Sequence, residues 1–147
     1  MKLWQRTVSL VCLAFFCHAA QAADNAGVVK ISKGAVTLER DGQKRDAPVG
    51  TMVLSSDRFV TGADGSVGIT LRDNTLLSAG PNSTVELNQF AFNTTTHAGA
   101  IDASVKRGTL SVISGKIAKA APESVRFSAP GMTLGVRGTS FVIDAGQ

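Results

Sequence analysis

The side chains with most chemistry to offer are few and scattered. His97 is an imidazole in the polar run Asn93-Thr94-Thr95-Thr96-His97-Ala98-Gly99. A nucleophile–histidine pair or a histidine–metal scheme needs an orienting carboxylate beside it, and none is near in sequence. Asp57, Asp64 and Asp73 are hard oxygen donors of the kind calcium takes, but their spacing matches no EF-hand loop. Asp64-Gly65 and Asp73-Asn74 are ordinary turn dipeptides. Ser114-Gly115-Lys116 ends like a phosphate-binding loop without the glycines that should precede it or a helix after it. Lys106, Arg107, Lys116 and Lys119 form a basic cluster with no aromatic residues between them, which suits a solvated face or a blunted strand edge rather than nucleic acid. No catalytic residue, cofactor or metal is therefore expected, and the chain reads as a binding module, not an enzyme.

One further residue stands out by its setting. In Met132-Thr133-Leu134-Gly135-Val136-Arg137-Gly138-Thr139-Ser140-Phe141-Val142-Ile143, two glycines bracket a valine and an arginine between short β-prone runs. The expectation is two strands meeting at a glycine corner, formed by Gly135, Arg137, Gly138, Thr139 and Phe141. The Arg137 guanidinium carries five donors in a fixed fork. It either braces the corner by tying carbonyls or a carboxylate, or presents its fork to a partner.

The elements that position these residues begin after a targeting segment. Lys2 and Arg6, the apolar run Val8 to Phe16 and the small-x-small Ala20-Gln21-Ala22 read as a signal peptide, residues 1–22, cleaved after Ala22. The apolar run is about half the ~20 residues a membrane helix needs. Phe16 before Cys17 and Val11 before Cys12 do not suit a lipoprotein signal. Cleavage leaves 125 of the 147 residues; two of the 15 basic residues go with the leader, so the formal charge falls from +4 to +2. Cys12, Cys17, His18 and Trp4 go too, leaving no cysteine and no tryptophan. Disulfides and cysteine-based metal sites are excluded within the mature chain, which packing alone must stabilise. The expected compartment is periplasmic or secreted, with no integral membrane segment in the mature chain.

From residue 23 onward the pattern has period two. Val29 and Ile31, Val36 and Leu38, Val67, Ile69 and Leu71, Val85 and Leu87, Ile101, Ala103 and Val105, Leu110 and Val112, and Val125 and Phe127 each alternate with polar or small residues. Turn signals separate them at Asp41-Gly42, Gly62 to Ser66, Asp73-Asn74, Gly80-Pro81-Asn82-Ser83 and Lys106-Arg107-Gly108. Only residues 117–123 leave room for a short helical turn. The fold class expected is all-β: one compact domain, 23–147, of about ten short strands in a β-roll or solenoid-like sandwich, with a Greek-key sandwich fitting as well because no fixed repeat period separates them.

The order of these pieces resembles the FecR domain family. The resemblance rests on Gly34 to Leu38, Val60 to Asp73, Gly80 to Leu87, Gly108 to Gly115 and Thr133 to Phe141, with Arg137-Gly138-Thr139 its most specific block, and it covers residues 34–141. It implies the exported all-β portion of bacterial regulators that relay occupancy of an outer-membrane iron-chelate transporter to a sigma factor. Those regulators also carry an anti-sigma segment, a membrane helix and a transporter-contacting module; the expectation here is a stand-alone exported domain. The function expected is protein–protein contact with an unidentified partner in the cell envelope, without nucleic acid, through sheet edges and the loops at 93–99 and 137–139. The alternative is an envelope glycan or polymer binder. With five phenylalanines and no tryptophan or tyrosine after residue 22, a sugar-stacking platform is hard to build.

Overall fold

The computed structural model describes residues 24–147, so the expected signal peptide and its cleavage point lie outside the described residues. Thirteen strands form two sheets around one core. In chain order they are β1 (Asn25–Lys33), β2 (Val36–Arg40), β3 (Gln43–Asp46), β4 (Met52–Leu54), β5 (Arg58–Thr61), β6 (Ser66–Leu71), β7 (Leu76–Ala79), β8 (Thr84–Phe92), β9 (Gly99–Arg107), β10 (Thr109–Ile113), β11 (Val125–Ala129), β12 (Met132–Gly135) and β13 (Ser140–Asp144). A five-residue helix, α1 (Lys116–Ala120), and a 3-10 turn at Pro122–Ser124 precede β11.

The six-stranded sheet runs β13-β10-β7-β6-β1-β4 and the seven-stranded sheet β12-β11-β9-β8-β5-β2-β3. Pairing is antiparallel except for β9 with β11, which run parallel because β10 and the helical segment intervene as a crossover. The chain steps between the sheets while advancing from the β3/β4 end to the β12/β13 end. That advance is the roll-like, solenoid-like sandwich expected from the sequence.

Period-two alternation sends one set of side chains into the shared core. Val67, Ile69 and Leu71 of β6, Val85 and Leu87 of β8, Leu110 and Val112 of β10, and Phe59 of β5 are all buried. The expected hairpin at Asp41-Gly42 is a two-residue loop with positive φ at both positions (53° and 75°), the twist that suits flanking strands. The expected stop at Gly80 to Ser83 joins three strands. The Thr61 hydroxyl donates to the Gly80 carbonyl at 2.7 Å and accepts from the Ser83 amide at 2.9 Å, while the Ser83 hydroxyl accepts from the Thr109 amide at 2.9 Å.

Three features depart from the sequence reading. There are thirteen strands rather than about ten, because β3 is Gln-Lys-Arg-Asp with no apolar residue and β4 has three residues. Val29 and Ile31 were expected on one face. A register shift between them leaves Val29 fully buried and turns Ile31 outward, 50% exposed. And a helix does follow Ser114-Gly115-Lys116, although it is short.

Candidate functional site

Gly135 ends β12, and Gly138 lies in the link to β13, which joins two sheets rather than two strands of one. β12 is the last strand of the seven-stranded sheet and β13 the last of the six-stranded sheet. The link 136–139 crosses between them at the same end of the sandwich. Four residues reach at most about 14 Å, enough to span the ~10 Å between packed sheets.

What holds the corner is apolar. Val136 is buried, Ile143 is buried, and the Phe141 ring meets Phe127 edge to face at a centroid distance of 5.3 Å and 74°. The Ser114 amide donates to the Thr139 carbonyl at 2.8 Å. Arg137 is exposed, and among the described residues its side chain makes no hydrogen bond or ion pair. The bracing role considered for Arg137 is therefore corrected: Val136, the adjacent residue, turns inward and fastens the link, which points the arginine to solvent. Gly138 has φ of +127°, where an L side chain is strained, but a Cβ there meets nothing within 4 Å. The same open space surrounds Gly135, so neither glycine is needed for close packing.

The opposite end of the sandwich carries a clamp that the sequence reading missed. Asp57 is wholly buried and takes a bidentate pair of bonds from Arg40, Nε to Oδ1 at 2.7 Å and Nη2 to Oδ2 at 2.6 Å. The Leu54 amide donates to Oδ2 at 2.8 Å, and Arg40 Nη2 also donates to the Met52 carbonyl at 2.8 Å. One arginine thus ties β2 of one sheet to β4 of the other. The Asp57 hydrogen bond raises the Arg40 pKa above its ordinary value, against the opposing effect of burial.

The other two aspartates are engaged separately. Asp64 Oδ1 accepts from the Ala35 amide at 3.3 Å. Asp73 is buried and accepts from the Thr75 hydroxyl at 2.7 Å, the Thr75 amide at 3.1 Å and the Ile117 amide at 3.3 Å; its own carbonyl accepts from the Lys116 amide at 2.8 Å. Asp73 therefore already occupies the donors at the start of α1. Among the described residues no three metal-ligating side chains come together.

His97 stacks on Phe92, centroids 6.2 Å apart and nearly parallel at 12°, in a loop held by Asn93, whose side chain accepts from the amides of Thr95 and Thr96. It is exposed and is not brought to any carboxylate. Lys106, Lys116 and Lys119 are exposed, and Arg107 Nε donates to the Asn82 carbonyl at 3.2 Å.

The four sheet edges are unequal. At one end, β3 is exposed at every position and charged at three of four, and β4 is three residues long. At the other, β12 reads Met-Thr-Leu-Gly and β13 Ser-Phe-Val-Ile-Asp, with one charged residue between them. Edge strands without charge, proline or bulge are open to an added strand.

A family model described as FecR protein matches residues 57–147. The chain belongs to the FecR protein family. The matched stretch begins at Asp57 and includes the whole corner; the Gly34 to Leu38 segment lies before it. Comparison with curated proteins and with solved structures finds no match.

Proposed function

We propose that this FecR-family chain is a non-enzymatic module of the cell envelope, periplasmic or secreted, that works by protein–protein contact in envelope signalling. The observation that carries the reading is the pair of uncapped edges, β12 and β13, lying together beside the exposed guanidinium of Arg137. An incoming extended segment adding to β13 satisfies its own backbone donors and acceptors on an edge that nothing guards. Arg137 next to that edge offers the fork for a carboxylate of the same partner.

The test is cross-linking in cells that express the chain with its own leader and a tag after Gln147. A photoreactive residue is placed at Thr133 or Val142 on the open edges, or at Lys44 on the guarded one. The expected result is capture of one envelope protein from positions 133 and 142, not from 44, reduced at least fivefold by Arg137→Glu. Capture of envelope polymer alone, of nothing, or equally from all three positions overturns the reading.

A further inference from the structure

Of the seven large hydrophobic residues exposed among the described residues, five lie on the outer face of the six-stranded sheet: Ile31, Met52, Leu76, Ile113 and Val142, each between 38% and 69% exposed. Strands β4, β6, β7 and β10 of that sheet contain no charged residue. Its strand charges are Lys30 at the bulge and Lys33 and Asp144 at strand ends. The other sheet is the reverse. Its outer face carries a charge ladder, Lys44–Glu39 at 3.1 Å, Glu39–Arg58 at 3.4 Å and Arg58–Glu86 at 3.3 Å. Polar-out alternation is the norm for a solvated antiparallel face, so a face this apolar calls for a cover.

Its relief specifies which cover. Next to an outer row of Thr109 and Asp144, the outward residues of β13, β10 and β7 form small-and-large pairs: Ser140 and Val142, Ser111 and Ile113, Ser78 and Leu76. The strand register lines them up in two adjacent rows, Ser140–Ile113–Leu76 and Val142–Ser111–Ser78. A two-fold axis lying in the plane of the face, across the strands and midway between the rows, lays each row on the other row of a second copy. Ile113 then sits over Ser111 of the second copy, Leu76 over its Ser78, and Val142 over its Ser140. Large residues meet small ones at all three strands, the alternation that lets facing layers interdigitate. A face that meets its own copy also meets its own charges. Strands β13, β10, β7 and β6 bring none to the axis, whereas on β1 the exposed Lys30, between Val28 and Ile31, stands level with it and meets its own copy, which keeps the association weak. Six strands about 4.8 Å apart and five residues of about 3.3 Å give a footprint of roughly 500 Å² per copy. The resulting total, about 1,000 Å², is at the small end of specific interfaces.

The geometry points to a weak, two-fold homodimer formed by stacking the outer faces of the six-stranded sheets, leaving the β12 and β13 edges free. It does not depend on the partner reading above.

Analytical ultracentrifugation of the exported protein tests it. The mean mass is expected to rise from monomer towards dimer between about 1 µM and 1 mM, and Leu76→Lys to shift the midpoint at least tenfold. Ser111→Arg, which removes no apolar contact, serves the same purpose should Leu76→Lys melt early. Cross-linking a mixture of Ser111→Cys and Ile113→Cys proteins with a short bis-maleimide, whose reach matches the ~10 Å between facing sheets, is expected to give the mixed dimer in preference to either homodimer. A protein that remains monomeric throughout, a dimer indifferent to both charged variants, or cross-linking without that preference overturns the proposal.

Discussion

Among single residues, Arg40 does what Arg137 was expected to do. Its guanidinium bonds a buried carboxylate through two nitrogens and a carbonyl besides. Arg40→Ala leaves the Asp57 charge with only the Leu54 amide, and losing one partner of a buried pair costs far more than losing a surface pair. Because Arg40 is one-fifth exposed, water enters the vacated space and moderates the loss. The expected destabilisation is about 2–3 kcal/mol, measured by urea unfolding followed by far-UV circular dichroism. The pH dependence of Arg40 follows from its raised pKa. A cation held by the fold contributes in full below its unfolded pKa and loses that contribution only as pH rises through the folded one. Stability is therefore expected to show no loss from Arg40 through the neutral and mildly alkaline range. Sequence showed Asp57 as a possible ligand or turn former, but nothing local pointed to Arg40, 17 residues away on β2, the strand that pairs with β5. Long-range pairs of this kind carry no periodic signal.

At the scale of elements, legibility tracked the strength of alternation. β6 and β10 are clean because their alternation runs unbroken, and a one-residue slip would invert both faces; β8 shifts register after Leu87, which turns Phe90 inward. β3 was missed because its four residues, Gln43 to Asp46, are all exposed, so its strand character comes only from pairing with β2. The bulge at Lys30 was equally invisible, since it depends on the partner strand. For the corner, the sequence located the residues but not their roles. Arg137 drew attention by its charge, whereas the fastening lies with Val136, Phe141 and Ile143. Ile143→Ala is accordingly expected to cost about 3 kcal/mol and to lower the melting temperature by about 10 °C. Arg137→Ala should stay within about 0.5 kcal/mol of the parent. Gly138→Val strains a φ of +127° without a clash and is expected to remain soluble, with a loss of about 1–2 kcal/mol. Equal losses for Ile143→Ala and Arg137→Ala in thermal melts would restore the bracing role to the arginine.

For the whole molecule, the extent of the family match and the extent of the folding unit differ. The match starts at Asp57, yet β1 lies inside the six-stranded sheet, between β6 and β4, and pairs with β6 at six positions from Gly27 to Lys33. Ala26, Val29, Val36, Leu38, Ala47 and Val53 all sit in the one core shared by both sheets, and all precede residue 57. A fragment of residues 57–147 would expose the β6 edge and take those six buried side chains out of the core that Phe59 and Leu71 share. Each omission costs a few kcal/mol, against a total stability of about 5–15 kcal/mol for a domain. The fragment is therefore expected to be unfolded by circular dichroism, and the chain 24–147 containing all thirteen strands to unfold in one cooperative transition. A fragment 57–147 that melts cooperatively would instead make β1 to β4 a separable layer. In that case the β6 edge it leaves bare, rather than β13, would become the first place to look for an added strand.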